Sequence, residues 1–115
     1  MGKFFANLPN LVIASGATDT TTAITSYITD ADSITITAPA ALTGTVTIRV
    51  ANDTPAEGGG TPTYKDLMSG GSAVTITTND LITITDVGFN SLKVTSGSAE
   101  ASTRTFTVSK QWKAR

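Results

Sequence analysis

The sequence predicts an all-β domain, folded as a two-sheet antiparallel β-sandwich of about eight strands. Apolar and polar residues alternate with a period of two over most of the chain, which is typical of half-buried strands and not of helices. Threonine, a β-branched residue that favours strands, occurs 23 times among 115 residues. Clusters of Gly, Pro, Asn and Asp interrupt the alternation at short intervals, as in a small barrel or in a two-sheet sandwich, Ig-like or jelly-roll.

Nine segments carry the alternation, and it also assigns their faces. In the fourth segment, for example, Val46, Ile48 and Val50 share one face while the intervening residues take the other. In chain order the predicted strands are 11–14, 22–28, 33–37, 45–50, 64–68, 73–77, 82–85, 89–95 and 103–109. Turn-forming residues separate them at 30–32, 39–44, 52–62, 70–71, 79–80, 86–88 and 96–102.

The apolar members of these strands form the predicted core. Burying each large aliphatic side chain contributes about 1.5–3 kcal/mol before chain entropy is counted, which suffices for one folded domain. The predicted core residues are Ile24, Ile28, Ile34, Ile36, Val46, Ile48, Val50, Leu67, Val74, Ile76, Ile82, Ile84, Leu92, Val94, Phe106 and Val108.

The segment 74–85, VTITTNDLITIT, predicts a β-hairpin. Its Val and Ile residues all carry even numbers, so they must share a face. A three-residue loop satisfies this by pairing Ile76 with Ile84, and it requires Asn79 or Asp80 in the left-handed conformation. The threonines then form an outward ladder. We interpret the ladder as ordinary surface, because twisted sheets do not give the flat array that ice binding needs.

Composition excludes several classes of function. Cys and His are absent, which removes disulfides, thiolate metal ligands and the commonest general base. A net charge of −1 with 15% charged residues argues against a dedicated nucleic-acid binder. No apolar run reaches the roughly 18 residues of a membrane span. We therefore predict no enzyme, no catalytic residue and no cofactor.

Asp30 and Asp32 supply half of a calcium-type carboxylate cluster, but the glycine and distal glutamate of a calcium loop are missing. The pair is therefore interpreted as a turn that precedes a strand, and no metal site is predicted.

The two termini hold the candidate contact residues. Residues 1–10 are predicted to form an extended arm, 11–109 the sandwich and 110–115 a basic tail. Adjacent phenylalanines outside a core are costly unless they pack on something, so the arm either covers an end of the sandwich or straps a neighbouring subunit. The tail suits single-stranded nucleic acid, an acidic protein surface or plain solvation. The candidate interface residues are Lys3, Phe4, Phe5, Leu8, Lys110, Trp112, Lys113 and Arg115.

Four stretches together resemble a known family: DLMSGGSAVTI, FNSLKV, a Ser/Ala/Glu-rich turn and RTFTV, all within residues 45–112. They resemble small capsid decoration (cement) proteins of tailed bacteriophages. The resemblance implies a β-sandwich on the capsid exterior of a virion assembled in the host cytoplasm. Its partners would be the major capsid protein and copies of itself, as a dimer or trimer. It implies no reaction, no direct nucleic-acid contact, no membrane and no small-molecule substrate.

The alternative is a receptor- or glycan-binding module of a phage fibre or adhesin. Such sites stack sugars on exposed aromatic rings, and Tyr27, Tyr64 and Trp112 are the only Tyr or Trp residues that the chain offers.

Overall fold

The computed structural model describes residues 3–25, 28–52, 62–85 and 87–113. Within these ranges the chain contains no helix, and every strand pair is antiparallel, which confirms the all-β prediction. The strands in chain order are β1 Lys3–Ile13, β2 Ser33–Thr37, β3 Val46–Ala51, β4 Lys65–Asp66, β5 Met68–Ser69, β6 Ser72–Ala73, β7 Thr75–Ile76, β8 Leu81–Ile84, β9 Ser91–Ser96 and β10 Arg104–Lys113.

The first sheet has the order β1-β10-β2-β8. The last strand of the chain therefore lies between the first strand and β2. Val108 of β10 pairs with Ile36 of β2, and Ile36 pairs in turn with Ile82 of β8. Because opposed residues share a face, this register places the even-numbered apolar side chains of three strands in one layer.

β1 includes residues that the sequence assigns to an arm. Leu8 pairs with Val108 and Leu11 with Phe106, so β1 carries one extra residue between these two pairs. This is a β-bulge, and it changes which parity faces inward. Leu8, Leu11 and Ile13 are therefore all buried although their numbering does not alternate regularly. The predicted boundaries of the arm, 1–10, are accordingly corrected: the described part of it, from Lys3 onward, lies in the sheet.

The second sheet is built around β3. β9 pairs with β3 along six residues, from Val46–Ser96 to Ala51–Ser91. On its other edge β3 pairs with the short strands β4 and β7, between which the β5–β6 hairpin projects. That hairpin turns at Gly70 and Gly71, whose φ angles of 60° and 86° are left-handed and favour glycine.

One hydrophobic cluster contains residues of both sheets. All the predicted core residues belong to this cluster or pack against it, which confirms the face assignment. Four of them are only partly buried: Val50, Leu67, Val74 and Ile82. The structure adds residues that the sequence pattern did not indicate, among them Leu8, Leu11 and Ile13 of β1 and Phe89. In the described part of the predicted strand 22–28, the strand pairing is limited to an isolated bridge between Ile24 and Leu92.

The predicted 74–85 hairpin is wrong. Ile76 pairs with Val46 of the second sheet, whereas Ile84 pairs with Ile34 of the first. The segment therefore crosses from one sheet to the other. Its turn is nevertheless of the predicted kind, since Asn79 has a left-handed φ of 64°.

Asp80 stabilises the turn at which the segment crosses between the sheets. Its carboxylate accepts hydrogen bonds from the backbone N and the Oγ1 of Thr77, each at 2.8 Å. These bonds hold the pKa of Asp80 below its usual value, the backbone bond having the larger effect.

A buried glutamate ties together two loops at one end of the fold. Glu100 is 1% exposed. Its carboxylate accepts hydrogen bonds from the backbone N of Thr43 at 2.8 Å, the backbone N of Gly44 at 3.1 Å and the Oγ of Ser96 at 2.6 Å. Arg104 Nε completes the set at 2.8 Å and supplies the opposite charge. Burial alone would raise the pKa of Glu100, but these bonds outweigh it and lower the pKa to about 2.

Gly44 is required in this arrangement for its small size. A Cβ at this position would lie 2.8 Å from Ser96 Oγ and 2.8 Å from the backbone N of Ser98. We expect Gly44→Ala to lower the free energy of unfolding by about 1–3 kcal/mol, as overpacking does elsewhere. Gly88→Ala is the matched control, because nothing lies within 4 Å of its Cβ position. Urea unfolding of both variants tests this, and equal stabilities would contradict it.

Candidate interaction surface of the terminal strands

The structure brings the two candidate termini together. β1 and β10 run antiparallel, so that Phe4 pairs with Trp112 and Lys3 with Lys113. The first residue of β2, Ser33, pairs with Gln111. The pairs Phe4–Trp112 and Lys3–Lys113 therefore form a two-stranded ribbon that continues past the end of β2.

An aromatic pair occupies one face of this ribbon. The rings of Phe4 and Trp112 stack with centroids 5.6 Å apart and planes 22° from parallel. Lys110 Nζ lies 5.0 Å from the centroid of the Trp112 ring, in cation–π range. Phe4 is 48% exposed, whereas Trp112 is half-buried. The Phe4 ring is therefore exposed to solvent, and it stacks on the indole of Trp112.

Lys110 is used within the fold. It is 7% exposed, and its Nζ lies 2.7 Å from the Asp30 carboxylate. This hydrogen bond lowers the pKa of Asp30. Asp32, two residues on, accepts a hydrogen bond from the backbone N of Lys113 at 2.7 Å. Both carboxylates thus bind the β10 strand. The predicted turn before β2 is present, because the backbone N of Ala31 donates to the carbonyl of Ile28 at 2.9 Å.

Burial removes two candidates from the contact surface. Leu8 is 7% exposed and packs in the core, and Lys110 is equally buried. The predicted tail 110–115 is likewise corrected, because β10 continues to Lys113, which is exposed. Arg115, the Lys3 side chain and Tyr27 lie outside the described residues.

The opposite face of the first sheet is hydroxyl-rich. A shallow depression of about 320 Å³ lies over it, and none of the side chains that line it carries a charge. Phe5 borders the depression and is 64% exposed. The lining also includes Asn7, Thr35, Thr37, Leu81 and Thr107. Phe4 and Phe5 are adjacent in β1 and therefore lie on opposite faces of that strand.

Leu81 is the exposed residue that the sequence pattern missed. It is 63% exposed and pairs with Thr37 at the start of β8, although the sequence assigns it to a loop. The sequence does contain a signal for the exposure of Leu81, because Leu81 lies two residues from Thr83, which faces outward. Extending the strand by one residue would have placed an apolar side chain on the threonine face.

The described residues include no group of three or more His, Cys, Asp or Glu side chains that could hold a metal ion. In the same ranges no helix has the length and apolar character needed to cross a membrane. Comparisons with protein-family models, with curated proteins and with solved structures found no match to this chain.

Proposed function

We propose that this protein is a non-catalytic structural protein of a virion that binds the outside of a phage capsid and reinforces it. The observation that carries the proposal is the exposure of two adjacent aromatic side chains, Phe4 at 48% and Phe5 at 64%, on the terminal strand β1. Exposed aromatic residues on a rigid element are typical anchors of protein interfaces. Lys113, exposed beside them, adds a positive charge.

The proposed partner follows from the resemblance to capsid decoration proteins. The resembling stretches, DLMSGGSAVTI, FNSLKV and RTFTV, lie within residues 45–112, a region that runs from β3 to β10. On this proposal the partners are the major capsid protein and copies of the chain itself, on the capsid exterior.

We also propose that the two sheets form a β-sandwich of about eight strands, Ig-like or jelly-roll. Support comes from the hydrophobic cluster, which contains residues of both sheets. β4 and β5 are separated by one residue, as are β6 and β7, so each pair counts as one interrupted strand. A rigid sandwich suits reinforcement, where each subunit must hold its contacts in place.

The test is co-sedimentation of the full chain with capsids of a tailed phage that carries its gene, prepared without the decorating protein. We expect the wild-type chain to bind at saturating stoichiometry. The double variant Phe4→Ala/Phe5→Ala should weaken binding by about 30-fold or more, because loss of an interface anchor costs about 2 kcal/mol or more. Thermal unfolding of the variant checks that its fold is retained.

Met68→Ala is the matched control. Met68 is also a large exposed apolar residue, at 56%, but it lies on the β5 strand of the projecting hairpin. The control should bind like the wild type. Failure of the wild type to bind capsids would refute the capsid proposal, whereas equal binding of the double variant would refute only the aromatic anchor.

A glycan-binding module is the second candidate, and the surroundings of Phe5 favour it. A free aromatic ring beside the Asn7 amide and the Thr107 hydroxyl offers a sugar both stacking and hydrogen bonds. Binding of the chain to a glycan array, lost in Phe5→Ala and accompanied by no capsid binding, would favour this function over the first.

A further inference from the structure

β8 is an open edge of the first sheet. Among the described residues it pairs with β2 alone. The backbone N of Ala38 donates to the carbonyl of Asp80 at 2.8 Å, which fixes the alternation of the ladder. Residues 82 and 84 therefore bond to β2, while Leu81 and Thr83 direct their N–H and C=O groups away from it. Such groups form a template for another strand.

The opposite edge of the same sheet is protected between Leu8 and Ile13. β1 carries Pro9, which has no N–H, and the bulge between Leu8 and Leu11 bends the strand. Near its end, the carbonyl of Val12 already accepts a hydrogen bond from the backbone N of Thr21 at 2.8 Å. β8 has none of these devices: no Pro and no charge occurs between Leu81 and Thr85. β1 is therefore protected over its second half, whereas the described part of β8 is open along its whole length.

A cleft with both polar and apolar lining lies beside the open edge. It has a volume of about 240 Å³ and separates β8 from the projecting β5–β6 hairpin. Its apolar lining comes from Leu67, Met68, Val74, Ile82 and Ile84. A strand that paired with β8 would place its inward side chains against this lining and cover it.

We propose that β8 is the interface through which two copies of this chain associate, by antiparallel pairing of β8 with β8. A register centred on Ile82 sets Leu81 opposite Thr83 of the partner subunit. Both residues direct their backbone groups outward, so each such pair exchanges two N–H···O=C bonds. The inward Ile82 side chains then meet beside the clefts.

Charge and symmetry favour a second copy as the occupant. A strand that pairs with itself must set no like charges opposite one another, and the neutral strand from Leu81 to Thr85 meets this condition. In the register centred on Ile82, Asp80 lies opposite Ile84 and not opposite another carboxylate. Pairing of β8 with β8 uses the same edge of both copies, so it is isologous and closes as a twofold dimer, whereas β1-to-β8 pairing would extend into a filament.

The test uses the purified chain alone, so it does not depend on capsid binding. Sedimentation equilibrium of the wild type should show a monomer–dimer equilibrium. Leu81→Lys should raise the dimer Kd by about tenfold or more, since two like charges enter each dimer and a loss of about 1.4 kcal/mol corresponds to tenfold. Phe5→Lys, a change at an equally exposed apolar residue near the protected edge, should leave Kd unchanged.

Hydrogen exchange provides the second measurement. The amide hydrogens of Leu81 and Thr83 should exchange slowly at high protein concentration and fast on dilution. A wild-type monomer at all concentrations, a trimer, or a dimer that Phe5→Lys weakens and Leu81→Lys does not would overturn the proposal. So would amide exchange at Leu81 and Thr83 that is independent of concentration.

Discussion

Replacement of Glu100 by Ala is expected to lower the free energy of unfolding by about 3–5 kcal/mol, the range seen when one partner of a buried ion pair is removed. The carboxylate accepts hydrogen bonds from the backbone N of Thr43 and Gly44, from Ser96 Oγ and from Arg104 Nε. Alanine removes this acceptor from all four donors, of which Ser96 Oγ is buried and the other three are part-buried. Urea unfolding measures the loss.

Asp66→Asn is the matched control for this prediction. Asp66 is also an ion-paired carboxylate, with its Oδ1 3.2 Å from Arg49 Nε, but its side chain is 50% exposed. Exposed ion pairs contribute about 0–1 kcal/mol, so the control should stay close to the wild type. Equal losses in the two variants would show that burial of Glu100 does not matter.

The same carboxylate makes stability depend on pH. The folded pKa of Glu100 is about 2, lower than the ordinary value of 4.5. The unfolded chain therefore takes up the proton first as the pH falls, and the contribution of Glu100 is complete above pH 4.5 and declines toward pH 2. Asp19, Asp30 and Asp80 also have lowered pKa values. The difference between wild type and Glu100→Gln isolates the Glu100 part, and it should shrink over this range.

Deletion of residues 1–8 is expected to destabilise the whole first sheet. Leu8 is 7% exposed, and loss of a buried leucine side chain alone costs about 2–5 kcal/mol. The deletion also strips the ladder partners from β10 between Val108 and Lys113, which creates a second open edge. We expect a lower midpoint of thermal unfolding and a greater tendency to aggregate.

Two point variants separate the packing of β1 from its exposed side chains. Leu11→Ala, at a position that is 0% exposed, should cost about 2–5 kcal/mol. Phe5→Ala, on the same strand but 64% exposed, should change stability by about 0.5 kcal/mol or less. If the deletion leaves stability unchanged, β1 is dispensable to the fold. Because it is expected to be needed, truncation is a poor test of capsid binding, and side-chain substitution is the better one.

Alternation predicts the faces of the strands well and their partners poorly. β2, Ser33–Thr37, has the predicted bounds, and the predicted core residues all join the hydrophobic cluster. Parity, however, requires only that Ile76 and Ile84 both face inward. They satisfy that requirement from two different sheets, and nothing in the local pattern distinguishes this from a hairpin.

The sequence pattern does not show that the terminal segments belong to strands β1 and β10, for two physical reasons. In β1 the bulge shifts the inward parity between Leu8 and Leu11, so Pro9 and its neighbours look like an end to the strand. In β10 the charge of Lys110 looks like the start of a tail, but its long side chain reaches Asp30 from an inward position. The aromatic candidates Phe4 and Phe5 could be identified from composition. Their separation onto two faces required the register of β1 on β10.

The position of β10 between β1 and β2 sets the order in which the chain can fold during synthesis. β1 leaves the ribosome before the other strands that the structure describes, yet its ladder partner β10 is the last of these to be made. Residues 14–103 intervene, and at about 5–20 residues per second they occupy the ribosome for several seconds. Through that interval the apolar residues of β1, such as Leu11 and Ile13, have no sheet to join. The nascent chain therefore completes its first sheet only after β10 has been made and inserts between β1 and β2.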